Sequence, residues 1–184
     1  MTTDSPGAWR ERLLKPTLVV LGIVSLDQLT KVLASKNLAL GESVAVLPGL
    51  VHFTMVHNTG MAFGLLSGSD MPYKSLLVTL ASLLAMAAVA YFALQSATSQ
   101  RVARVGLLCI LGGALGNILD RVRLGYVIDF VDIFYGNAHW PAFNLADTCI
   151  SVGVGLLLLD SLRQNDSSRA ASSKVAAEPS TGDL

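Results

Sequence analysis

Four apolar runs decide what this chain can become. They are TLVVLGIVSLDQLTKVLA after Pro16, YKSLLVTLASLLAMAAVAYFAL after Pro72, Val102 to Leu119, and about Ala142 to Leu162. A hydrocarbon core near 30 Å takes about 20 residues of helix at a rise of about 1.5 Å each. Backbone inside lipid must also satisfy its own hydrogen bonds, which favours helix. The expectation is therefore a membrane all-α chain of four transmembrane helices, over about 17–34, 73–94, 102–119 and 142–162. Only 14% of the residues are charged, against roughly one quarter in a soluble domain, which fits the same reading. Pro16 suits the opening turn of the first span. Arg10, Arg12 and Lys15 before an apolar run also suit a secretory signal peptide, but Asp27, Gln28 and Lys31 interrupt the run and it is long for that purpose. It reads as an uncleaved span.

The connections are equally informative. Within the outer loop of about 35–72, VAVL and LVHFTMV flank Pro48-Gly49, the pattern of a small β-hairpin lying on the membrane surface. The other outer loop, about 120–141, reads as an interfacial loop, with Tyr126, Phe134, Tyr135, Trp140 and Phe143 supplying an aromatic belt. Residues 1–15 form a polar N-terminal segment, 16–162 one membrane domain, and 163–184 a Ser- and Ala-rich tail expected to be disordered. Arg10, Arg12, Lys15, Arg101, Arg104, Arg163, Arg169 and Lys174 outnumber Lys36, Lys74, Arg121 and Arg123 across the membrane, so both termini are expected in the cytoplasm. A net charge of zero offers no field to hold nucleic acid. Cys109 and Cys149 form no CxxC pair, and His52, His57 and His139 lack zinc-ligand spacing, so no metal site is expected.

Polar residues inside or beside such spans are costly, about 2.5 to 3.5 kcal/mol for each Asp or Arg at a helix centre. Helical rise brings Asp27, Asn117, Asp120, Arg121, Asn144 and Asp147, from three different spans, to one depth at the outer face, with Asp129 and Asp132 at a similar level. Each has a plain structural reading. Asp27 and Lys31 are an i,i+4 pair, Asp120 and Arg121 an interfacial ion pair, Asn144 and Asp147 a capping box. The GG and GALG steps suit close helix packing. Their coincidence points further. Two carboxylates close together in low dielectric cannot both ionise easily, and one that keeps a proton can act as an acid beside one that acts as a base. That is aspartic-protease chemistry, with four outward acids, Asp120, Asp129, Asp132 and Asp147, from which a pair would be drawn. A small ion or proton transporter is the rival, but it would spread acids across the membrane and show inverted repeats.

DQLTK at Asp27 to Lys31, NTGMAFG at Asn58 to Gly64, GGALGNILDR at Gly112 to Arg121, VIDFVD at Val127 to Asp132 and FNLAD at Phe143 to Asp147 together resemble the lipoprotein signal peptidases, also called signal peptidase II. The resemblance covers all four spans and both outer loops. It implies a bacterial cell-membrane aspartic endopeptidase that needs no cofactor and has its active site near the extracytoplasmic face. Such an enzyme removes signal peptides from diacylglyceryl-modified prolipoproteins by cutting before the lipidated cysteine, so its partners are those substrates and membrane lipid. By the same resemblance the catalytic pair falls on Asp129 and Asp147. Asn117, Arg121 and Asn144 line the site and hold substrate, while Asp27, Lys31, Asn58, Gly60 and Asp120 shape it. Met61 departs from the family, which more often has a small residue there. The hairpin and the Arg123 to Trp140 loop are expected to clamp the substrate.

Overall fold

The computed structural model describes residues 8–60, 73–95 and 101–177. Met61 and the apolar patch after it lie outside the described residues, as do 178–184. Four helices, α1 (Ala8–Asn37), α2 (Lys74–Gln95), α3 (Arg101–Leu124) and α4 (Leu145–Ala177), carry a small sheet of β1 (Ser43–Leu47), β2 (Val51–Asn58), β3 (Val127–Tyr135) and β4 (Ala138–His139). Among the described residues three helical stretches are long and apolar enough to cross a membrane: Leu13–Asn37, Arg101–Leu124 and Leu145–Arg163. The apolar stretch of α2 is shorter, Leu76–Ala88.

α3 is the central post, packed against α1, α2 and α4. Its glycines make that possible. A Cβ on Gly113 would fall on the carbonyl oxygen of Ala146 in α4, and one on Gly116 would sit 2.5 Å from Asp27 Oδ2 in α1. Lower down, Gly106 and Gly153 face each other so closely that a Cβ on either would meet the other's carbonyl oxygen. Lipid gives helices little hydrophobic reason to associate, so contact of this closeness is what joins them. Leu18, Leu21, Leu26, Leu29 and Leu33 of α1 are correspondingly about half exposed, as lipid-facing side chains would be.

The hairpin read from VAVL, Pro48-Gly49 and LVHFTMV is present as β1 and β2, with Gly49 at φ +78° in the turn. The stretch expected as a second outer loop is not a loop. α3 continues through Asp120 and Arg121 to Leu124, and Gly125 closes it at φ +83° while its N–H donates to the Arg121 carbonyl. VIDFVDIFY then runs as β3 beside β2, in the register His52↔Asp132 and Val56↔Asp129. Its β-branched and aromatic residues suit a pleated, half-buried surface. The two arms expected to clamp a substrate are thus neighbouring strands of one sheet, ordered β1-β2-β3-β4.

Other boundaries also move. Pro16 lies inside α1 and not at its start, because AWRERLLK before it is good helix-forming sequence. α4 begins at Leu145 and runs to Ala177, past Arg163 where composition reads disorder; the Ala-rich sequence there favours helix.

Gly113→Ala should lower stability by roughly 1–3 kcal/mol through overpacking, whereas Gly22→Ala, with open space at its Cβ position, should leave it unchanged or slightly raised. Thermal unfolding in detergent reads this out. Equal midpoints for the two variants would contradict close packing at α3.

Candidate active site

α1 places Asp27 and Lys31 one turn apart on the face turned to α3. Lys31 is only 1% exposed. Its ammonium lies 2.9 Å from Asp27 Oδ2 and 2.9 Å from Asp120 Oδ2, and donates to Asn117 Oδ1 at 2.9 Å. Three donors meet three acceptors, which is what burial of a lysine requires. The carboxylates it holds have second tasks. Asp27 Oδ1 accepts the Ala146 N–H at 3.0 Å, and Asp120 Oδ2 accepts the Ile128 N–H at 3.2 Å. Gln28 Nε2 donates to Asp120 Oδ1 at 2.8 Å.

The i,i+4 reading of Asp27 and Lys31 therefore holds, enlarged by an acid from α3. Asp120 turns to Lys31 and away from a simple pairing with Arg121, since successive helical residues point about 100° apart. Arg121 instead donates to the Gly60 carbonyl at 3.1 Å, and Gly60 N–H donates to Asn58 Oδ1 at 2.8 Å.

Asn144 joins this cluster to two further acids. It caps α4 in a reciprocal box: the Asp147 N–H donates to Asn144 Oδ1 at 2.9 Å, and the Asn144 N–H donates to Asp147 Oδ2 at 3.3 Å. With its oxygen so engaged, the Asn144 amide must point its NH2 outward, and Nδ2 donates to Asp129 Oδ1 at 2.7 Å. Asn58 Nδ2 donates to the other oxygen of Asp129 at 2.9 Å. Lys31 fixes the Asn117 amide in the same manner, so that Asn117 Nδ2 donates to Asp147 Oδ1 at 2.8 Å. The capping box and the site are the same residues.

The four candidate acids now separate by partner. Asp120 is occupied by Lys31 and Gln28. Asp132 lies on the sheet, 3.0 Å from His139 Nδ1 and apart from the cluster. Asp129 and Asp147 meet at Asn144. Their surroundings differ: Asp147 sits in the first turn of α4, where the helix end favours negative charge, whereas Asp129 is 1% exposed in β3. Burial first, and then the charge of Asp147, pushes Asp129 up to about 7, against the opposing hydrogen bonds from Asn58 and Asn144 and the charge of Lys31. A carboxyl of this kind can hold a proton at neutral pH.

A cavity of about 550 Å³ opens between α2, α3 and α4. Asn58, Asn117, Arg121 and Asp147 form its polar end, and Val78, Ala85, Ile110 and Ile150 belong to its apolar walls. Asp129 sits just behind Asn58. Gln28 was read from sequence only as an interruption of the first span; its place next to Asp27 in DQLTK was the available signal.

Residues 19–163 match the family model described as signal peptidase (SPase) II. The lipoprotein signal peptidase of Geobacter metallireducens is 44% identical over 155 residues, covering 82% of this chain and 94% of that one. That of Acinetobacter baumannii is 45% identical over 143 residues, covering 78% and 80%. Two solved structures, each described as a bacterial membrane enzyme, superimpose with TM-scores of 0.72 and 0.71 at 30% and 28% identity, covering 82% and 80% of this chain and 89% and 92% of theirs.

Because the folded protein keeps the Asp129 proton up to about pH 7, while an unfolded chain releases it near 4, Asp129 should subtract stability as pH rises through that interval. Thermal midpoints measured from pH 4 to 8 should fall less steeply in Asp129→Asn than in the wild type. Parallel curves would remove this account of Asp129.

Proposed function

Since the chain belongs to the signal peptidase II family, we propose that it works as an aspartic endopeptidase whose reacting pair is Asp129 and Asp147. It is a multi-pass bacterial membrane peptidase that processes prolipoproteins. Family membership sets aside the transporter. One observation carries the aspartic reading: Asn144 binds both carboxyls at once, and one of them, Asp147, lines the polar end of a largely apolar cavity.

Asp147, at the helix end and open to the cavity, is the base. It takes a proton from a water lying between the two carboxyls, and the resulting hydroxide attacks the scissile carbonyl carbon. Asp129 gives its proton to the carbonyl oxygen as the tetrahedral diol forms. Collapse of the diol re-forms the carbonyl and expels the amine, which takes the proton held by Asp147; the diol hydroxyl proton returns to Asp129. The pair ends as it began, with one proton shared, and no covalent intermediate is needed. Arg121 and Asn117, with donors at the polar end of the cavity, hold backbone carbonyls of the substrate. Asn58, Gly60 and Asn144 keep the acids and Arg121 in place.

The substrate class is a prolipoprotein whose lipobox cysteine already carries diacylglycerol, cut just before that cysteine. α2 completes the set as a fourth crossing, with both termini cytoplasmic and the site near the extracytoplasmic face. Apolar cavity walls that meet a polar end suit a scissile bond held close to a lipid anchor.

Purified protein should cleave a diacylglyceryl-modified prolipoprotein before the modified cysteine and leave the unmodified form intact. Asp129→Asn and Asp147→Asn, inserted to equal levels, should each lower turnover by about 10²–10⁴ or more. Either variant cleaving at the wild-type rate would show that the pair is misassigned.

A further inference from the structure

Lys31 lies outside the cavity, yet its three bonds reach both acids of the proposed pair. Asp27, on one side of the ammonium, holds the N–H of Ala146, the residue immediately before Asp147. Asp120, on the other side, holds the N–H of Ile128, the residue immediately before Asp129. The third bond goes to Asn117, whose amide donates to Asp147. Helix α4 and strand β3 are thereby tied to one point at the positions that set the spacing of the two carboxyls. Gly116 leaves the room: a Cβ there would collide with Asp27.

We propose that Lys31 is a positioning residue for the reaction, acting through Asp27, Asp120 and Asn117 to fix the distance between Asp129 and Asp147 and to aim the Asn117 NH2 at Asp147. The proposal rests on the aspartic reading above. It assigns Lys31 no contact with substrate. Lys31 is the stronger hold on the orientation of the Asn117 amide, because the other donor to Asn117 Oδ1, Asn144 Nδ2, shares its two hydrogens with Asp129 and the Ile128 carbonyl.

Among the described residues, the charged groups around the pair are Asp27 and Lys31 from α1 and Asp120 and Arg121 from α3. His57 on β2 is stacked on Tyr126, and α2 brings no charged group among its described side chains. Lys31→Met removes a cation and strands two buried acids, so it can fail simply by not folding. Lys31→Met combined with Asp120→Asn removes one positive and one negative charge together. An amide oxygen can still accept the Ile128 N–H, so this double variant keeps the local charge balance while losing the bond to Asn117.

The experiment compares pH–rate profiles of the double variant and the wild type on diacylglyceryl-modified prolipoprotein, with thermal unfolding to confirm the fold. The expected result is a turnover at least about tenfold lower with little change in KM, and an acid limb moved to higher pH by about one unit, since the pair has lost a donor that favours its ionised form. A merely structural role would reduce the number of active molecules and leave the limb where it was. A profile superimposable on the wild type, at whatever amplitude, would overturn the proposal. Wild-type cleavage that Asp129→Asn abolishes marks the peptidase reading as standing, whichever way the Lys31 variants behave.

Discussion

A lysine ammonium removed from water must find a partner for every proton, and in this chain that requirement organises three helices and a sheet. Lys31 gathers Asp27 from its own helix and Asp120 and Asn117 from α3. Those groups in turn gather the first turn of α4 and the start of β3. Among the described residues no buried side-chain nitrogen or oxygen is left without a partner. A buried ion cluster of this kind is weak evidence for stability, since apolar packing could do as well. Its value lies in definition. Each amide in the site has an orientation imposed by a group that can only donate or only accept.

That definition makes two identical side chains different. Asp147 belongs to a helix start and takes N–H bonds from Asn144 and Asn117. Asp129 belongs to a strand and is buried almost completely. A symmetrical pair would have no reason to place its shared proton on one member. Here one carboxyl belongs to a helix start and the other to a strand, and Asn144 bonds to both.

Much of this was legible in the sequence. Three of the four apolar runs, the turn residues at Pro48-Gly49 and the small residues on α3 each have one inexpensive solution, and the structure takes it. Strand β3 was hidden because its stretch read as an interfacial loop. Its partner strand β2 lies far away in the chain, and pairing of that range leaves no local signal. The site residues could be gathered by depth, but not ranked. Asp120 and Asp132 are as acidic as Asp129 and Asp147 on paper, and only their partners, Lys31 and His139, tell them apart. Asn144 and Asp147 illustrate the same point, since one geometry caps the helix and also joins two carboxyls, and sequence shows only the cap.

The most direct measurement is the pH dependence of wild-type turnover on a diacylglyceryl-modified prolipoprotein. The account predicts a bell, with an alkaline limb near pH 7 that falls by one proton as the pair loses the proton it shares, both limbs belonging to the pair and not to a single residue. Turnover that stays flat from pH 5 to 9 would contradict a shared proton, and with it the division of labour between Asp129 and Asp147.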